Sequence, residues 1–298
     1  MKIKHENSSV LNKASTQLIT DDLTNRLLLA DCLPEKFPDF FDGLSAVLQK
    51  CELEFTLLPN CKDIWARDYM PVQISENTFI QFKYKPDYLR TKNGLKTISD
   101  VDSICDALQI ERNKSNLILD GGNVVKTEDA VMMCEKVFSE NPRFERKILE
   151  QMLRELFEVE KLWFLPQQPE DFTGHADGMV RFLDKNTLLI NDYSGESKAF
   201  QKVFDSAIES TGLDTIKIPY NPYGNKINDQ ANCIYINYLQ MQNTLIIPVY
   251  GLPEDEQVVC LFEQHFKGQK IETLDCNEIA EEGGVLNCIS WTRFKSGD

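Results

Sequence analysis

The chain has 298 residues, 42% of them hydrophobic, and a formal net charge of −15 at pH 7. That length suits either two domains or one closed repeat fold with a sizeable core. The acidic balance argues against a nucleic-acid partner, because phosphate binding requires a basic face. The same charge would steer a cationic substrate, or would simply keep the surface soluble.

The chain shows no sign of a targeting or membrane segment. Its first residues lack the apolar run of a signal peptide, and no stretch approaches the roughly 18 apolar residues of a membrane span. The nine cysteines include no CxxC pair and no zinc-ligand spacing, and their odd number suits free thiols. We therefore expect a cytoplasmic protein without membrane attachment. No linker-like stretch divides the sequence, so residues 1–298 are predicted to form one domain.

Five segments in chain order predict helices, because their apolar residues recur on one face. They cover residues 35–50, 100–109, 142–159, 196–211 and 254–267. A short strand is predicted after each of them, at residues 55–58, 117–119, 162–165, 216–218 and 271–274. Three of these strands are followed directly by a proline, which cannot continue a ladder of backbone hydrogen bonds.

A repeated phrase marks a hairpin in successive units. A turn residue followed by a hydrophobic strand recurs every 52 to 57 residues, at Asn77, Asp129, Asn186 and Asn243. This spacing indicates one supersecondary unit used several times. The alternation of helix and strand also fits an open doubly wound sheet, but a parallel sheet does not need a hairpin in every unit. We therefore predict an α/β fold, a five-bladed α/β-propeller of ββαβ units whose last unit is cut short by the C-terminus.

Polar residues at equivalent points of a circular repeat converge on its axis. Asp68, Asp120 and Asp177 each stand nine residues before a repeated turn, so we predict that they share one pocket. The two remaining units contribute Asn237 and Cys288 at corresponding points. Each blade of the predicted ring therefore offers a polar or reactive group to a common centre.

His175 and Cys288 supply the reactive groups of this predicted pocket. A thiolate is a strong nucleophile, and a neighbouring imidazole or bound cation lowers the pKa of the thiol. Carboxylates suit a guanidinium, which pairs with them bidentately, and Trp65 could stack on its plane. Cys288 would then attack the guanidinium carbon, while His175 would carry protons to the leaving ammonia and from the hydrolytic water.

Five short phrases carry a family resemblance. In chain order they are WARDYMP (65–71), DGGN (120–123), GHADGMVRF (174–182), YINY (235–238) and EGGVLNCIS (282–290). Together they resemble the agmatine deiminase and bacterial peptidylarginine deiminase family, whose guanidino-group-modifying members share the five-bladed pentein fold. The resemblance implies hydrolysis of a guanidino group to a ureido group plus ammonia through a covalent cysteine intermediate. It implies no metal and no organic cofactor, and it makes a homodimer plausible.

The resemblance assigns roles to individual residues. Cys288 corresponds to the nucleophile, His175 to the general acid and base, and Asp68 and Asp177 to the carboxylates that bind the guanidinium. Further residues are expected to line the same substrate pocket: Trp65, Asp120 and Asn237. We expect Arg67 to pair with a buried carboxylate rather than to bind substrate.

Three departures from the family pattern leave the substrate open. Asp120 stands where the family has Glu, and Asn287 stands where it has His before the nucleophile. Residues 82–88 replace an N-x-W-G phrase near the substrate tail, and Lys83 and Lys85 in this stretch would repel an ammonium if they faced the pocket. Agmatine, arginine in peptides and methylated arginine all stay open as substrates, and so does amidino transfer.

Two functions of other classes are also considered. His175, Asp177 and His265 have the composition of a 2-His-1-carboxylate iron site, although such sites belong to all-β barrels and every unit here contains a helix. A non-catalytic protein that binds guanidino compounds on the same fold is the other alternative.

Overall fold

The protein is built from five small three-stranded sheets. The computed structural model describes residues 17–221, 231 and 233–297. The strands are β1 (Arg26–Ala30), β2 (Phe55–Leu58), β3 (Val72–Ser75), β4 (Thr78–Lys83), β5 (Asn113–Ile118), β6 (Val125–Lys126), β7 (Ala130–Cys134), β8 (Lys161–Leu165), β9 (Val180–Phe182), β10 (Thr187–Asn191), β11 (Asp214–Ile218), β12 (Leu239–Met241), β13 (Thr244–Val249), β14 (Lys270–Asp275) and β15 (Ser290–Arg293). They form the sheets β15–β1–β2, β3–β4–β5, β6–β7–β8, β9–β10–β11 and β12–β13–β14.

Each sheet repeats one connection pattern. The middle strand pairs antiparallel with the strand before it and parallel with the strand after it. A parallel neighbour requires a crossover, and a helix supplies it in every unit. The helices are α1 (Leu33–Lys36), α2 (Pro38–Lys50), α3 (Ala66–Tyr69), α4 (Gly94–Thr97), α5 (Val101–Ala107), α6 (Lys136–Glu140), α7 (Arg146–Phe157), α8 (Lys198–Glu209), α9 (Pro253–His265), α10 (Asn277–Ala280) and α11 (Leu286–Ile289). The predicted five-bladed α/β-propeller of ββαβ units is confirmed.

The predicted elements agree with these bounds to within a few residues. The crossover helices are α2, α5, α7, α8 and α9, one for each predicted helix. Among the helices the largest difference is at α7, which begins at Arg146 rather than at 142, because Glu145 has an extended backbone. The same helix ends before Glu158, which adopts the left-handed conformation with φ of 56°.

The fifth blade corrects one prediction. Instead of being cut short by the C-terminus, it is completed by β1 from the other end of the chain, which pairs antiparallel with β15. Asn25 lies where the other hairpins have their turn residue. Its side-chain amide donates to the carbonyl of Lys295 at 2.9 Å and accepts from the amide of Lys295 at 3.0 Å. The ring is therefore closed by a strand pair between distant parts of the sequence.

The hydrophobic core lies between the outer helices and the sheets. The faces of α7 and α8 show the pattern, since each buries three large residues: Leu149, Leu153 and Phe157 on α7, and Phe200, Phe204 and Ile208 on α8. Burial of each such side chain contributes about 1.5–3 kcal/mol. In the described part of the chain, no helix is both long and apolar enough to cross a bilayer.

The axis of the ring is polar. A short helical turn precedes the first strand of each blade: α3, the 3₁₀ turns Gly121–Asn123 and Ala176–Gly178, the turn at 233–238, and α11. Turns of neighbouring blades contact one another, α11 against α3 and α3 against Gly121–Asn123. The side chains that these turns bury at the axis are therefore contributed by all five blades.

Candidate active site

Cys288 lies on the one-turn helix α11 and is 9% exposed. Its thiol donates to Oδ1 of Asn237 at 3.4 Å and lies 3.9 Å from Oδ2 of Asp177. Oδ1 of Asn237 also accepts the backbone amides of Asn287 at 3.1 Å and of Cys288 at 3.3 Å. Asn237 therefore holds both the thiol and the start of the turn that carries it.

Asn287 fixes the carboxylate beside the thiol. Its side-chain amide donates to Oδ2 of Asp177 at 2.6 Å, and both side chains are buried. A charge-assisted hydrogen bond of this length holds the carboxylate strongly. The sequence indicated Asn287 only as a departure from the family pattern, and its partner could not be predicted, because Asp177 is 110 residues away along the chain.

His175 lies between two further carboxylates. Its Nε2 is 3.1 Å from Oδ2 of Asp120, and its Nδ1 is 3.6 Å from Oδ1 of Asp68. The same oxygen of Asp68 accepts the backbone amide of Gly122 at 3.1 Å. The structure thus brings together the three aspartates that the repeat predicted to share a pocket, with the imidazole in contact with two of them.

Two glycines permit the close packing of these groups. A Cβ at Gly122 would lie 2.6 Å from Oδ1 of Asp68 and 2.7 Å from Nδ1 of His175. A Cβ at Gly284 would lie 2.6 Å from the indole of Trp65 and 3.2 Å from the Cβ of Cys288. Any side chain at either position would separate the catalytic turns, so the role of these glycines is space rather than a special backbone conformation.

The buried charges shift one another's pKa values. Burial by itself would lower the pKa of His175, but the carboxylates of Asp68, Asp120 and Asp177 outweigh it and raise that pKa to about 10. Burial and the neighbouring aspartates raise the pKa of Asp68 to about 7, against the opposing effect of His175. Burial, followed by the charges of Asp177 and Asp68, raises the pKa of the Cys288 thiol well above its usual value. The site therefore favours an additional cation and disfavours a thiolate.

A cavity of about 120 Å³ opens onto this cluster, and His175, Asp177, Asn237 and Cys288 line it. Asp68 and Asp120 lie behind His175 and do not border the cavity. Trp65 packs against Gly284 rather than along the wall. Of the four residues expected to be catalytic, Cys288, His175 and Asp177 line the cavity, whereas Asp68 contacts His175 and not the cavity.

The mouth of the cavity is acidic. Glu170 and Asp171 line it, together with Phe172, which is 56% exposed. Lys83 and Lys85 are exposed and do not line it, so the repulsion that the sequence raised for these two lysines does not arise. None of the described residues that line the cavity is a lysine or an arginine.

A larger cavity of about 390 Å³ lies on the other side of the same turns. Asp21 pairs there with Arg181 at 2.6 Å and with Arg67 at 3.7 Å, as expected for Arg67, and Lys126 lies close by. Burial lowers the pKa of Lys126 to about 8, partly opposed by Asp21. This cavity is larger but has neither the thiol nor the imidazole, so we assign the active site to the smaller one.

The iron-site hypothesis fails on geometry. His265 is the last residue of α9, an outer helix. Over residues 17–221, 231 and 233–297, no three His, Cys, Asp or Glu side chains are grouped in a way that could hold a metal ion. His175 and Asp177 therefore share no metal site with His265.

Tyr88 is a contact of the site that the sequence did not predict. It belongs to the 3₁₀ turn Asp87–Leu89, and its hydroxyl donates to Oδ2 of Asp120 at 2.9 Å. The sequence marked residues 82–88 only as a departure from the family pattern. No local signal indicates this contact, because it depends on how the turn folds back over the axis.

A closed ring of five ββαβ units with a thiol, an imidazole and carboxylates at its axis defines a pentein. The chain belongs to the Porphyromonas-type peptidyl-arginine deiminase family, whose family model matches residues 36–293. It is 24% identical over 206 residues to a predicted agmatine deiminase of Marinomonas sp. (strain MWYL1). That alignment covers 58% of this chain and 56% of the relative, so the chain spans about half the length of the curated relatives it matches.

Solved structures show the same fold. An agmatine deiminase of C. jejuni superposes with a TM-score of 0.79 at 20% sequence identity, covering 94% of this chain and 96% of that one. A dimethylarginine dimethylaminohydrolase superposes with a TM-score of 0.56 at 16% identity, covering 91% of this chain and 100% of that one. At these identities the likeness concerns the fold.

Proposed function

We propose that this protein is a cysteine-dependent deiminase, which hydrolyses a guanidino group to a ureido group and ammonia. One observation carries the proposal: a buried thiol and a buried imidazole lie among three carboxylates at one end of the ring. The carboxylates outnumber the imidazolium, and a planar cation with several N–H donors would complete the charge balance. We also propose that the ring, closed by β1 and β15, acts as a single catalytic domain.

Asp177 and Asp68 bind the guanidinium in this proposal. Asp177 faces the cavity beside the thiol, whereas Asp68 lies behind His175 and acts on the thiol through its charge. Oδ1 of Asp120 is buried and has no hydrogen-bond partner among the described residues, so it adds an unpaired acceptor behind His175. Asn237 holds the thiol, and Trp65 packs beside the nucleophile turn at Gly284; its stacking on the substrate is part of the proposal. The carboxylates would hold the guanidinium carbon in line with Sγ.

The reaction begins once the bound substrate has lowered the pKa of the Cys288 thiol, which gives its proton to solvent and becomes a thiolate. Sγ of Cys288 adds to the guanidinium carbon, and the C–N bond to one terminal nitrogen then breaks. His175, as imidazolium, gives its proton to that nitrogen, which leaves as ammonia and leaves an amidino thioether on Cys288. Water then attacks the same carbon and gives a proton to the now neutral His175. Finally the C–S bond breaks, the hydroxyl of the adduct gives its proton to solvent, and the products are the Cys288 thiolate and a neutral ureido group.

Substrate charge controls this sequence. In the free protein, burial together with the carboxylates keeps Cys288 protonated, and the carboxylates keep His175 charged. A bound guanidinium pairs with those carboxylates, so it lowers the pKa values of both the thiol and the imidazolium. The substrate therefore promotes its own nucleophile, and it makes His175 a stronger acid at the moment ammonia must leave.

The cavity favours agmatine as the substrate. Its mouth has carboxylates and, among the described residues, no lysine or arginine, so an amine-terminated tail is favoured over the α-carboxylate of free arginine. The sequence relatives, which are described as agmatine deiminases, support the same substrate. The exposed Phe172 at the mouth favours an arginine side chain within a peptide as the second candidate.

The test is ammonia and ureido-product release from agmatine, free arginine, methylated arginines, guanidino acids and arginine peptides. Cys288→Ala is the inactive variant, and Cys260→Ala, which removes an exposed thiol on α9, is the matched control. We expect release from agmatine that requires Cys288 and not Cys260, with a mass increase on Cys288 during turnover. Tight binding of guanidino compounds without release would instead establish a binding protein. Release from Cys288→Ala would refute the mechanism.

A further inference from the structure

Tyr88 contacts the catalytic cluster, although the proposed chemistry does not use it. Its hydroxyl donates to Oδ2 of Asp120 at 2.9 Å, and that oxygen is also 3.1 Å from Nε2 of His175. We propose that Tyr88 is a positioning residue that sets the acid strength of His175 by sharing the charge of Asp120. The effect of Tyr88 on catalysis rests on the function proposed above, whereas its effect on the pKa of His175 does not.

Contacts with Lys136 hold Tyr88 in place. We refer to this group, formed by Asp87, Tyr88, Lys136 and Phe172, as the clasp. The Nζ of Lys136 pairs with Asp87 at 2.9 Å, lies 5.0 Å above the Tyr88 ring and donates to the carbonyl of Phe172. The Lys136 side chain is only 4% exposed. The rings of Tyr88 and Phe172 meet edge to face at 5.4 Å. The clasp therefore joins the turn that carries Tyr88 to the loop that leads into His175.

Gly174 makes the clasp possible. A Cβ at this position would lie 2.6 Å from Cδ of Lys136, and Gly174 has φ of 64°, a backbone conformation that favours glycine. The residue directly before His175 is therefore shaped around the Lys136 side chain. The buried Lys136 and the positive φ of Gly174 indicate that the surrounding residues fix the position of Tyr88.

The hydrogen bond from Tyr88 weakens the hold of Asp120 on the imidazolium. A carboxylate oxygen that accepts a neutral donor is a poorer base, so it stabilises a neighbouring imidazolium less. Tyr88 stays a donor throughout the working range, since burial and the charge of Asp120 raise the pKa of its phenol well above the usual value. Without this hydroxyl, Oδ2 of Asp120 would act on His175 alone, and the imidazolium would become a weaker acid.

Several other ionisable groups lie near His175, and a comparison of the protein with its Tyr88→Phe variant must leave their charges unchanged. They are Asp68 on α3, Asp120 and Asp177 on their turns, Cys288 on α11, and Lys136 and Glu140 on α6. Tyr88→Phe changes none of these charges, because it removes one neutral hydroxyl. Any change in the titration of His175 then reports the loss of the Tyr88 hydroxyl, which hydrogen-bonds Tyr84 as well as Asp120.

The direct measurement is an NMR titration of His175, for which a chain with three histidines is well suited. It is made in an Asp68→Asn background, which removes a raising charge and brings the titration into a range where the fold survives. We expect Tyr88→Phe to raise the pKa of His175 by about one unit, a tenfold change in the proton equilibrium. The matched control is Tyr235→Phe, which removes a similar bond, from Tyr235 to Asp255 at 2.7 Å, away from His175.

The two titrations decide the proposal. A higher pKa with Tyr88→Phe and an unchanged one with Tyr235→Phe supports it. An unchanged pKa with Tyr88→Phe, or equal shifts in both variants, overturns it. If Tyr88→Phe does not fold, the nine tyrosines are replaced by 3-fluorotyrosine, a stronger donor. The pKa of His175 should then fall, and an unchanged value would overturn the proposal.

A kinetic measurement separates this inference from the function itself. In the enzyme with Asp68 intact, Tyr88→Phe should shift the alkaline limb of the pH–activity profile to higher pH. It should also slow the single-turnover release of ammonia by up to about tenfold. If the wild-type protein releases no ammonia from any guanidino compound, the proposed function fails, while the titration still judges Tyr88. If ammonia is released and Tyr88→Phe changes neither limb nor rate, the catalytic consequence of Tyr88 is refuted.

Discussion

The two ends of the ring axis treat buried charge in opposite ways. At the larger cavity, Asp21 is paired with Arg181 and Arg67 and Lys126 lies close by, so the cations outnumber that carboxylate. At the smaller cavity, three aspartates share one imidazole, and the thiol beside them is kept protonated. The larger cavity therefore gathers cations around a carboxylate, whereas the smaller cavity has more carboxylates than cations. Charge balance, rather than cavity size, supports placing the proposed active site at the smaller cavity.

Removal of the nucleophile should have the largest effect. We expect Cys288→Ala to lower kcat for the deimination by on the order of 10⁴-fold or more, because no other group can form the covalent intermediate. Binding of a guanidino ligand, measured by calorimetry, should change little, since the carboxylates are intact. Normal turnover in this variant would show that the smaller cavity is not where the reaction occurs.

Neutralising Asp177 tests whether the surplus charge binds the substrate. Asp177→Asn removes one of the carboxylates that pair with the guanidinium, and loss of one partner of a buried ion pair costs about 3 kcal/mol or more, roughly 100-fold in affinity. The matched control is Asp205→Asn, an identical change at an exposed position of α8. Equal affinities for the two variants in calorimetry would contradict the charge argument.

A pair of alkylating agents separates charge from reactivity at Cys288. The carboxylates should attract cationic 2-chloroacetamidine and lower the pKa of the thiol once it is bound, whereas neutral 2-chloroacetamide has no such effect. We expect labelling by the amidine to be faster by about tenfold or more at neutral pH, where the raised pKa of Cys288 leaves little thiolate. The rate of labelling by the neutral reagent, followed by mass spectrometry, should rise with pH and should not reach a plateau at neutral pH. Equal rates for the two reagents would refute the idea.

The opposite end should affect stability and leave catalysis almost unchanged. Asp21→Asn leaves Arg181 buried without its carboxylate, and we expect unfolding free energy in urea to fall by about 2 kcal/mol. The value of kcat/KM should stay within about threefold, because Asp21 does not contact the reacting groups. Asp22→Asn, at the exposed neighbouring position, is the control and should change neither the free energy of unfolding nor kcat/KM. A large loss of kcat/KM with Asp21→Asn would show that the two ends are coupled through Arg67 and Asn287, whose carbonyl Arg67 contacts.

Much of the fold was predictable because its determinants are local. Apolar periodicity marks each crossover helix, and a turn residue such as Asn186 followed by a hydrophobic run marks each hairpin. The closure of the fifth blade was not predicted. Asn25 and the apolar residues after it repeat the same phrase, but they stand at the opposite end of the chain from the strand with which they pair. A linear search for a period does not join the two ends of a sequence.

The candidate site was predictable in composition but not in arrangement. Spacing placed Asp68, Asp120 and Asp177 at equivalent points, and the structure gathers them around the axis. The stacking of Trp65 on a substrate and the contacts of Asn237 with a substrate stay predictions. The partner of Asn287 and the contact of Tyr88 with Asp120 could not be predicted, because each joins residues that only the closed ring makes neighbours.

The sequence by itself determined the repeating unit, its turns and the kinds of reactive group, since hydrophobic periodicity and turn chemistry act over a few residues. Only the tertiary structure decided the charge state of the site. A pKa depends on burial and on the distances between charges from different blades, so the raised pKa values of His175 and Cys288 arise only once the turns of different blades meet.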